Sequence, residues 1–168
     1  RHYLNHFSMR PPDLTMELMA EHDIHITQQP NFTYTLEGRY AANLDGWRLD
    51  HNNPLRSPMD HGITVAISSD ILPIGPMVGL YAAVTRKGMS GQVYGPDEII
   101  TIEEAIRAYT LTGAYLNFEE EVKGSLEPGK FADMIVLSND ILTIDPERIM
   151  DIEVEQTYVN GKLVYEKP

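Results

Sequence analysis

An acidic side chain, Asp70, stands at the end of a short apolar segment, residues 63–69, that the sequence predicts to be a β-strand. Successive side chains of a strand point to opposite faces. One face carries branched apolar residues suited to packing under helices, and the other carries small residues and the carboxylate: Thr64, Ala66, Ser68 and Asp70. In a parallel barrel the second face is the interior, and active sites gather at the carboxyl ends of the strands. The position predicts a chemical role for Asp70, and a cap on the following turn is the alternative.

The residue types present limit which other groups can join that carboxylate. The chain contains no cysteine and six histidines. A disulfide framework, a thiol nucleophile and a Cys-ligated zinc site are therefore excluded, and a metal must be held by histidine and carboxylate. The formal charge is −12, from 13 basic and 25 acidic residues, and no basic patch is present. This charge argues against nucleic acid as a partner.

The 168 residues, 42% of them hydrophobic, suffice for one ordinary domain or two small ones. No apolar run reaches the ~18 residues of a membrane span. The longest, residues 71–84, is interrupted by prolines and glycines. We expect a protein that does not enter the membrane and lies in the cytoplasm. The chain begins Arg1-His2-Tyr3, which predicts either processing or a longer parent polypeptide.

Residues 1–98 alternate short extended segments with helical ones, as in βα units of a parallel sheet. Strands are predicted over residues 2–7, 24–28 and 63–69. Helices are predicted after Pro11 and Pro12, over residues 54–61, and from Met77. Between them lies a long polar stretch, residues 31–53, which is either a substrate-covering loop or a set of short helices.

The last third of the chain changes from helix to strand. Apolar residues at three- and four-residue spacing predict a helix from Thr101 to Leu116, and Glu104 three residues after Thr101 indicates a capping box. Residues 132–137 predict a short buried strand. Residues 154–159 and 162–165 flank Asn160-Gly161, a strong hairpin signal.

Four stretches of the chain are distinctive: Gly79-Leu80-Tyr81-Ala82-Ala83-Val84-Thr85-Arg86, Glu104-Ala105-Ile106-Arg107-Ala108-Tyr109-Thr110, Gly124-Ser125-Leu126-Glu127-Pro128-Gly129-Lys130-Phe131-Ala132-Asp133 and Val159-Asn160-Gly161-Lys162-Leu163-Val164-Tyr165. They resemble the C-terminal part of the amidohydrolase superfamily. The branch that they resemble, amidohydrolase family 3, includes N-substituted formamide deformylases. The third stretch is typical of the fold and says nothing about the substrate.

The resemblance implies an α/β fold containing the last three βα units of a TIM-type (β/α)₈ barrel, followed by a small β-sandwich module. It places the barrel part at residues 1–118 and the sandwich at residues 119–168. A complete barrel needs ~250 residues. Most of the metal ligands of such an enzyme, including the His-x-His of its first strand, would then lie outside this sequence.

Two residues match metal ligands of the family. Asp70, the last residue of Ser68-Ser69-Asp70, matches the aspartate of the eighth strand. The resemblance implies that it binds metal and acts as general base, taking a proton from the attacking water and returning it to the leaving nitrogen. His6 matches the histidine of the sixth strand, although Asn5 stands where the family has Glu. An ordinary polar residue at the rim is the alternative for His6.

Two further residues are weaker candidates for substrate binding. Arg56 falls where the family tends to have an arginine ahead of the last barrel helix, and a guanidinium there could bind a carboxylate or carbonyl. A solvated surface arginine is the alternative. Gln29 ends the second predicted strand, where it could reach a pocket or cap the turn before Pro30. The remaining histidines and the acidic run Glu119-Glu120-Glu121 are expected to be structural or solvated.

These observations predict the C-terminal portion of a metal-dependent amidohydrolase that hydrolyses a non-peptide C–N bond, as in an amide or formamide, through metal-activated water. One or two divalent ions, zinc first among them, would be the cofactor, and a small molecule the substrate. The chain alone should be inactive and should associate with the missing N-terminal barrel portion or with itself. The alternatives are a non-catalytic fragment or relic that binds or regulates, and a deaminase or cyclic amidohydrolase of the same fold.

Overall fold

A parallel sheet occupies the first part of the chain. The computed structural model describes residues 1–70 and 75–168. The strands of this sheet are β1 (His2–Asn5), β2 (Ile24–Gln28) and β3 (Val65–Ile67), hydrogen-bonded in that order. Its register pairs Asn5 with Thr27, and Thr27 with Ala66. Because the strands are parallel, their carboxyl ends lie at the same end of the sheet.

Helices connect these strands in the predicted order. Helix α1 (Asp13–Glu21) begins directly after Pro12. Residues 31–60 form four short helices: α2 (Asn31–Thr35), α3 (Glu37–Asn43), α4 (Gly46–Asp50) and α5 (Arg56–Asp60). The long polar stretch therefore contains short helices, which confirms that alternative.

Helix α6 (Pro76–Thr85) begins with proline at its first position, where the missing N–H is tolerated. Residues 71–74, the start of the apolar run 71–84, lie outside the described part of the chain. Within the described part, no helix has the length and apolar character needed to cross a membrane.

The predicted helix after Thr101 is present but divided. Helix α7 (Ile102–Tyr109) starts with the predicted capping box: Glu104 N donates to Thr101 Oγ1 over 3.2 Å and Thr101 N donates to Glu104 Oε2 over 2.8 Å. The helix ends at Thr110, whose ψ is −88° and whose hydroxyl donates to the Ile106 carbonyl over 2.8 Å. Such a bond competes with the helical ladder. A separate helix, α8 (Leu111–Leu116), follows.

The chain closes with an antiparallel sheet of β4 (Met134–Leu137), β5 (Val154–Val159) and β6 (Lys162–Glu166), in that order. Asn160 and Gly161 both have positive φ, 50° and 73°, as a type I′ hairpin requires. The hairpin prediction is confirmed. After residue 118 the described residues form this one sheet, whereas a sandwich needs two packed sheets.

Residues 132–137 are predicted to form a buried strand. The strand is present as β4, but the prediction that it is buried is wrong. Met134, Ile135 and Val136 are 37–48% exposed. The short apolar run Met134 to Leu137 indicates a strand, but burial also needs a second layer on its face. No such layer over these residues comes from the described part of this chain.

One hydrophobic core joins the parallel sheet to the helices. It is built from β2, β3, α1, α6 and α7, and includes Met16, Ile26, Val65, Leu80 and Ala105. The 3₁₀ helix Pro146–Asp151 contributes Ile149, which is 1% exposed, to the same core. This 3₁₀ helix, which lies between β4 and β5 in the chain, packs against α6.

Helices α6 and α7 approach closely at Gly79. A Cβ atom there would lie 1.8 Å from the Tyr109 hydroxyl oxygen, so any larger residue would displace the Tyr109 ring. The glycine that opens the first distinctive motif is therefore explained by packing.

The same motif ends at Arg86, a fully buried arginine with φ 55° at the end of α6. Its guanidinium donates to the carbonyls of Asn52 (2.7 Å), Asn53 (2.9 Å) and Tyr94 (2.9 Å). Burial lowers the pKa of Arg86 to about 10, while Glu98 and Asp50 oppose this effect. Arg86 thus joins α6 to the end of the segment 31–53.

We expect Arg86→Met to destabilise the chain by about 3 kcal/mol or more, because it leaves buried carbonyls without a donor. The exposed Arg48→Met is the matched control and should change stability by about 0.5 kcal/mol or less. Urea unfolding followed by circular dichroism measures both. Equal unfolding midpoints for the two variants would contradict the role of Arg86.

Candidate functional site

The carboxyl ends of β1 and β3 carry His6 and Asp70. His6 follows β1 directly, and Asp70 lies three residues beyond β3. Because β2 lies between these strands, the two side chains converge above its end. His6 Nε2 lies 3.8 Å from Asp70 Oδ2. The structure therefore brings together the two residues that the sequence predicts as metal ligands.

Both residues have left-handed backbone conformations, with φ 54° at His6 and 58° at Asp70. Such values are uncommon for residues other than glycine and cluster at functional sites. The His6 ring stacks on Phe32, with ring centres 6.0 Å apart and planes 7° apart. The His6 carbonyl accepts from Ser8 N over 2.6 Å. The backbone and the ring of His6 are thus both held.

The pair suits a divalent metal as part of a larger set of ligands. Imidazole nitrogen and carboxylate oxygen are zinc ligands, and two ligands at ~2.1 Å from a tetrahedral zinc lie roughly 3.4 Å apart. The observed separation of 3.8 Å is close to this value, and the side chains of His6 and Asp70 are 50% and 43% exposed. No group of three or more His, Cys, Asp or Glu side chains that could hold a metal occurs among residues 1–70 and 75–168. A metal held by His6 and Asp70 would need further ligands from outside these residues.

Gln29 lies beside this site but is 2% exposed. Its Nε2 donates to Ser68 Oγ over 2.9 Å, which joins the end of β2 to the end of β3. The side chain thus contacts the segment that carries Asp70. A direct contact of Gln29 with substrate remains a prediction.

Arg56 is not brought to His6 and Asp70. Its guanidinium binds the Glu104 carboxylate through two nitrogens, with Nη1 3.0 Å from Oε1, and Nε donates to the Ile99 carbonyl over 3.3 Å. The predicted substrate-binding role gains no support, because the donors of Arg56 already have protein acceptors. Sequence position could not reveal this pair, whose members are separated by 48 residues.

Sequence reasoning missed three neighbours of the site: Phe32, Asn31 and Tyr109. Asn31 Nδ2 donates to the Ser69 carbonyl over 2.7 Å. Burial raises the pKa of Tyr109 to about 12, and the nearby Ser69 opposes the rise. The 31–53 stretch, which contains Asn31 and Phe32, is unusually long, but nothing in its pattern or around Tyr109 singles out these contacts.

Two of the other histidines, His25 and His51, pack against aromatic side chains. His25 is buried edge-on against Tyr115, with ring centres 5.7 Å apart, and burial lowers the pKa of its imidazole. His51 stacks on Trp47 at 4.3 Å. In the acidic run, Glu120 pairs with Arg1 at 2.5 Å. These contacts agree with the structural and surface roles predicted for them.

Comparison with known proteins gives one family. A family model described as an amidohydrolase family matches residues 1–165. The N-substituted formamide deformylase of Arthrobacter pascens is 37% identical over 157 residues, which cover 89% of this chain and 28% of that protein. A Bacillus subtilis protein described as an amidohydrolase, YtcJ, is 38% identical over 157 residues, which cover 90% and 30%. The chain therefore spans less than a third of the length of these relatives.

A solved structure shares the fold. An uncharacterised metal-dependent hydrolase from Pyrococcus horikoshii superposes with a TM-score of 0.72 at 24% identity, over 86% of this chain and 30% of that one. The likeness shows that the strands and helices described above are arranged as in a segment of that enzyme.

The Arg56–Glu104 pair gives a prediction about pH. The hydrogen bonds from Arg56 hold the pKa of the Glu104 carboxyl below its usual range. A folded-state pKa below the unfolded value means that the pair stabilises the fold above about pH 4.5, and that this stabilisation is lost as the pH falls through the folded-state pKa. Arg56→Gln should lower the melting temperature by about 2 °C at pH 7, with the difference shrinking between pH 5 and pH 3.

Thermal melting from pH 3 to pH 7 measures this effect. Arg48→Gln is the matched control, because Arg48 is an exposed arginine. An Arg56→Gln difference that stays constant across this range would show that the ion pair is not its cause.

Proposed function

The chain belongs to the amidohydrolase family, and on that premise we propose that it forms the C-terminal part of a metal-dependent hydrolase that cleaves a non-peptide C–N bond. The observation that carries the proposal is the 3.8 Å approach of His6 Nε2 to Asp70 Oδ2 at the carboxyl ends of parallel strands. Enzymes built on parallel barrels place their chemistry at these ends. An amide or formamide of a small molecule is the proposed substrate, in keeping with the deformylase relative.

In this proposal His6 and Asp70 supply one imidazole and one carboxylate to a divalent metal, zinc first among the possibilities. Such a metal, when bound, polarises a carbonyl and makes a water molecule more acidic. The second carboxylate oxygen of Asp70 accepts the proton of the attacking water and returns it to the leaving nitrogen, as a general base and then a general acid. The His6 ring is kept in place by Phe32.

The complete site needs a larger assembly. A catalytic zinc has three protein ligands and an open position, whereas the described residues supply two donors. We therefore propose that residues 1–118 are the last three βα units of a (β/α)₈ barrel, and that residues 119–168 belong to a β-sandwich. The rest of the barrel, on the same polypeptide, or further copies of the chain would complete both.

The partners follow from charge and fold. A net charge of −12 opposes binding to nucleic acid, and we propose a small-molecule substrate.

The two-donor site also supports a second candidate, a fragment or relic that binds or regulates without catalysis. Metal content distinguishes the two functions. One or two equivalents of zinc in the longest natural polypeptide containing this chain would favour the enzyme, and none would favour the non-catalytic module.

Asp70→Asn should lower hydrolysis by about 1000-fold or more, because the amide cannot accept the proton of the attacking water. The measurement is release of free amine from a panel of formamides and amides by the longest natural polypeptide that contains this chain. The exposed Asp97→Asn has the same change in charge and should leave the rate unchanged. A wild-type rate in Asp70→Asn would remove Asp70 from the proposed mechanism.

The isolated chain should associate at micromolar concentration, because β1 and β3 each pair on one side only within the described part of the sheet. Sedimentation velocity should show homo-oligomers, or a complex when the remaining portion of a barrel is supplied. The same chain should bind no stoichiometric zinc when tested alone. A compact monomer at these concentrations would contradict the proposed assembly.

A further inference from the structure

Four residues of the segment Gln28 to Phe32 contact His6 or the chain next to the two candidate ligands, and we infer that this segment is the element that positions His6 against Asp70. It runs from the last residue of β2 into α2 and is here named the Gln28–Phe32 clamp. None of its residues is a proposed metal ligand. The inference rests on the proposed function for its chemical purpose, but the positioning itself can be tested without metal or substrate.

On the side of β1, two clamp residues act on His6 and its neighbour. Gln28 Nε2 donates to the Phe7 carbonyl over 2.7 Å and to the Pro54 carbonyl over 2.8 Å. The bond to Phe7 fixes the chain immediately after His6, and the bond to Pro54 ties the same side chain to the segment before α5. The Phe32 ring lies parallel to the imidazole of His6 and restricts its tilt.

On the side of β3, the clamp acts on the two residues before Asp70. Gln29 Nε2 donates to Ser68 Oγ over 2.9 Å, and Asn31 Nδ2 donates to the Ser69 carbonyl over 2.7 Å. Ser68 N donates to the Gln28 carbonyl over 2.9 Å. The segment that carries Asp70 is therefore tied to the clamp by one backbone and two side-chain bonds.

The three amides are costly where they lie. Gln28, Gln29 and Asn31 are 0%, 2% and 0% exposed. The side-chain carbonyl oxygen of each finds no hydrogen-bond partner among residues 1–70 and 75–168. A buried acceptor without a donor costs free energy, but an apolar residue in place of any of these amides would leave the acceptors of its bonds without a donor. Each of the three side chains uses its N–H donors and leaves its oxygen without a partner. We therefore explain their presence by the segments that these donors hold in place.

The two ligands also need to be held. The positive φ values of His6 and Asp70 are unfavourable for residues other than glycine and persist only where surrounding contacts impose them. The clamp supplies such contacts on both sides from one short, buried segment. A fixed distance between donors before metal arrives reduces the ordering that binding would otherwise require.

The test is hydrogen–deuterium exchange followed by mass spectrometry on the whole 168-residue chain. Gln28→Met removes two donors with little change in length, and should raise amide exchange roughly tenfold in residues 5–9 while residues 67–70 change less. Asn31→Leu should show the reverse pattern. Gln92→Met, an exposed glutamine in a distant loop, is the control and should change neither segment.

A second measurement tests whether the same substitutions change the arrangement of ligands around a bound metal. In the metal-loaded enzyme containing this chain, with Co²⁺ as the probe, Gln28→Met and Asn31→Leu should alter the visible absorption spectrum of Co²⁺, whereas Gln92→Met should not. Segment-specific exchange together with an altered spectrum supports the inference. Exchange that rises uniformly over the chain, or only a lower melting temperature, would reduce the three amides to a general structural role and overturn it. That result would leave the proposed hydrolase function standing, since the exchange experiment involves neither metal nor substrate.

Discussion

Arg86 carries a positive charge into the interior at the end of α6, where backbone carbonyls surround it. Two of these carbonyls belong to Asn52 and Asn53. The same two residues hold Ser8: Asn53 N and Asn52 Nδ2 donate to the Ser8 carbonyl over 2.8 and 2.9 Å. Ser8 N in turn donates to the carbonyl of His6. A continuous path of hydrogen bonds therefore leads from one buried guanidinium to the backbone of a candidate metal ligand.

A second buried charge, the carboxylate of Glu98, lies near the Arg86 guanidinium and attracts it. Glu98 is 2% exposed, and its carboxylate accepts from Leu55 N, Ser57 N and Ser57 Oγ at 2.6–2.9 Å. Attraction to Glu98 opposes the effect of burial on the pKa of Arg86. Each buried charge is thus satisfied mainly by polar groups of the segment 52–57, which approaches β3. The chain between β2 and β3 owes its course to these polar contacts as much as to its own apolar residues.

The features that the sequence predicted are those with a local cause. Four features follow from residues within a few positions of each other. They are strand β2, the start of α1 after Pro12, the capping box of Thr101 and Glu104, and the Asn160-Gly161 hairpin. Features that depend on distant segments could not be predicted in this way. Arg86 and Arg56 have partners 33 and 48 residues away, and nothing local distinguishes a buried arginine from an exposed one. The convergence of His6 and Asp70 lies between these cases, because parallel pairing is a long-range result but follows from the predicted order of βα units.

Three features of the described chain fit the assembly proposed above. β1 and β3 each pair on one side only, the apolar strand β4 is exposed, and the site provides two donors where a catalytic metal needs more. A free edge on β3 allows a further strand to continue the parallel sheet. A strand added there would reach the same end of the sheet as His6 and Asp70, since parallel strands end together. A partner that completed the sheet in this way would therefore be well placed to supply the further ligands that the proposed metal site needs.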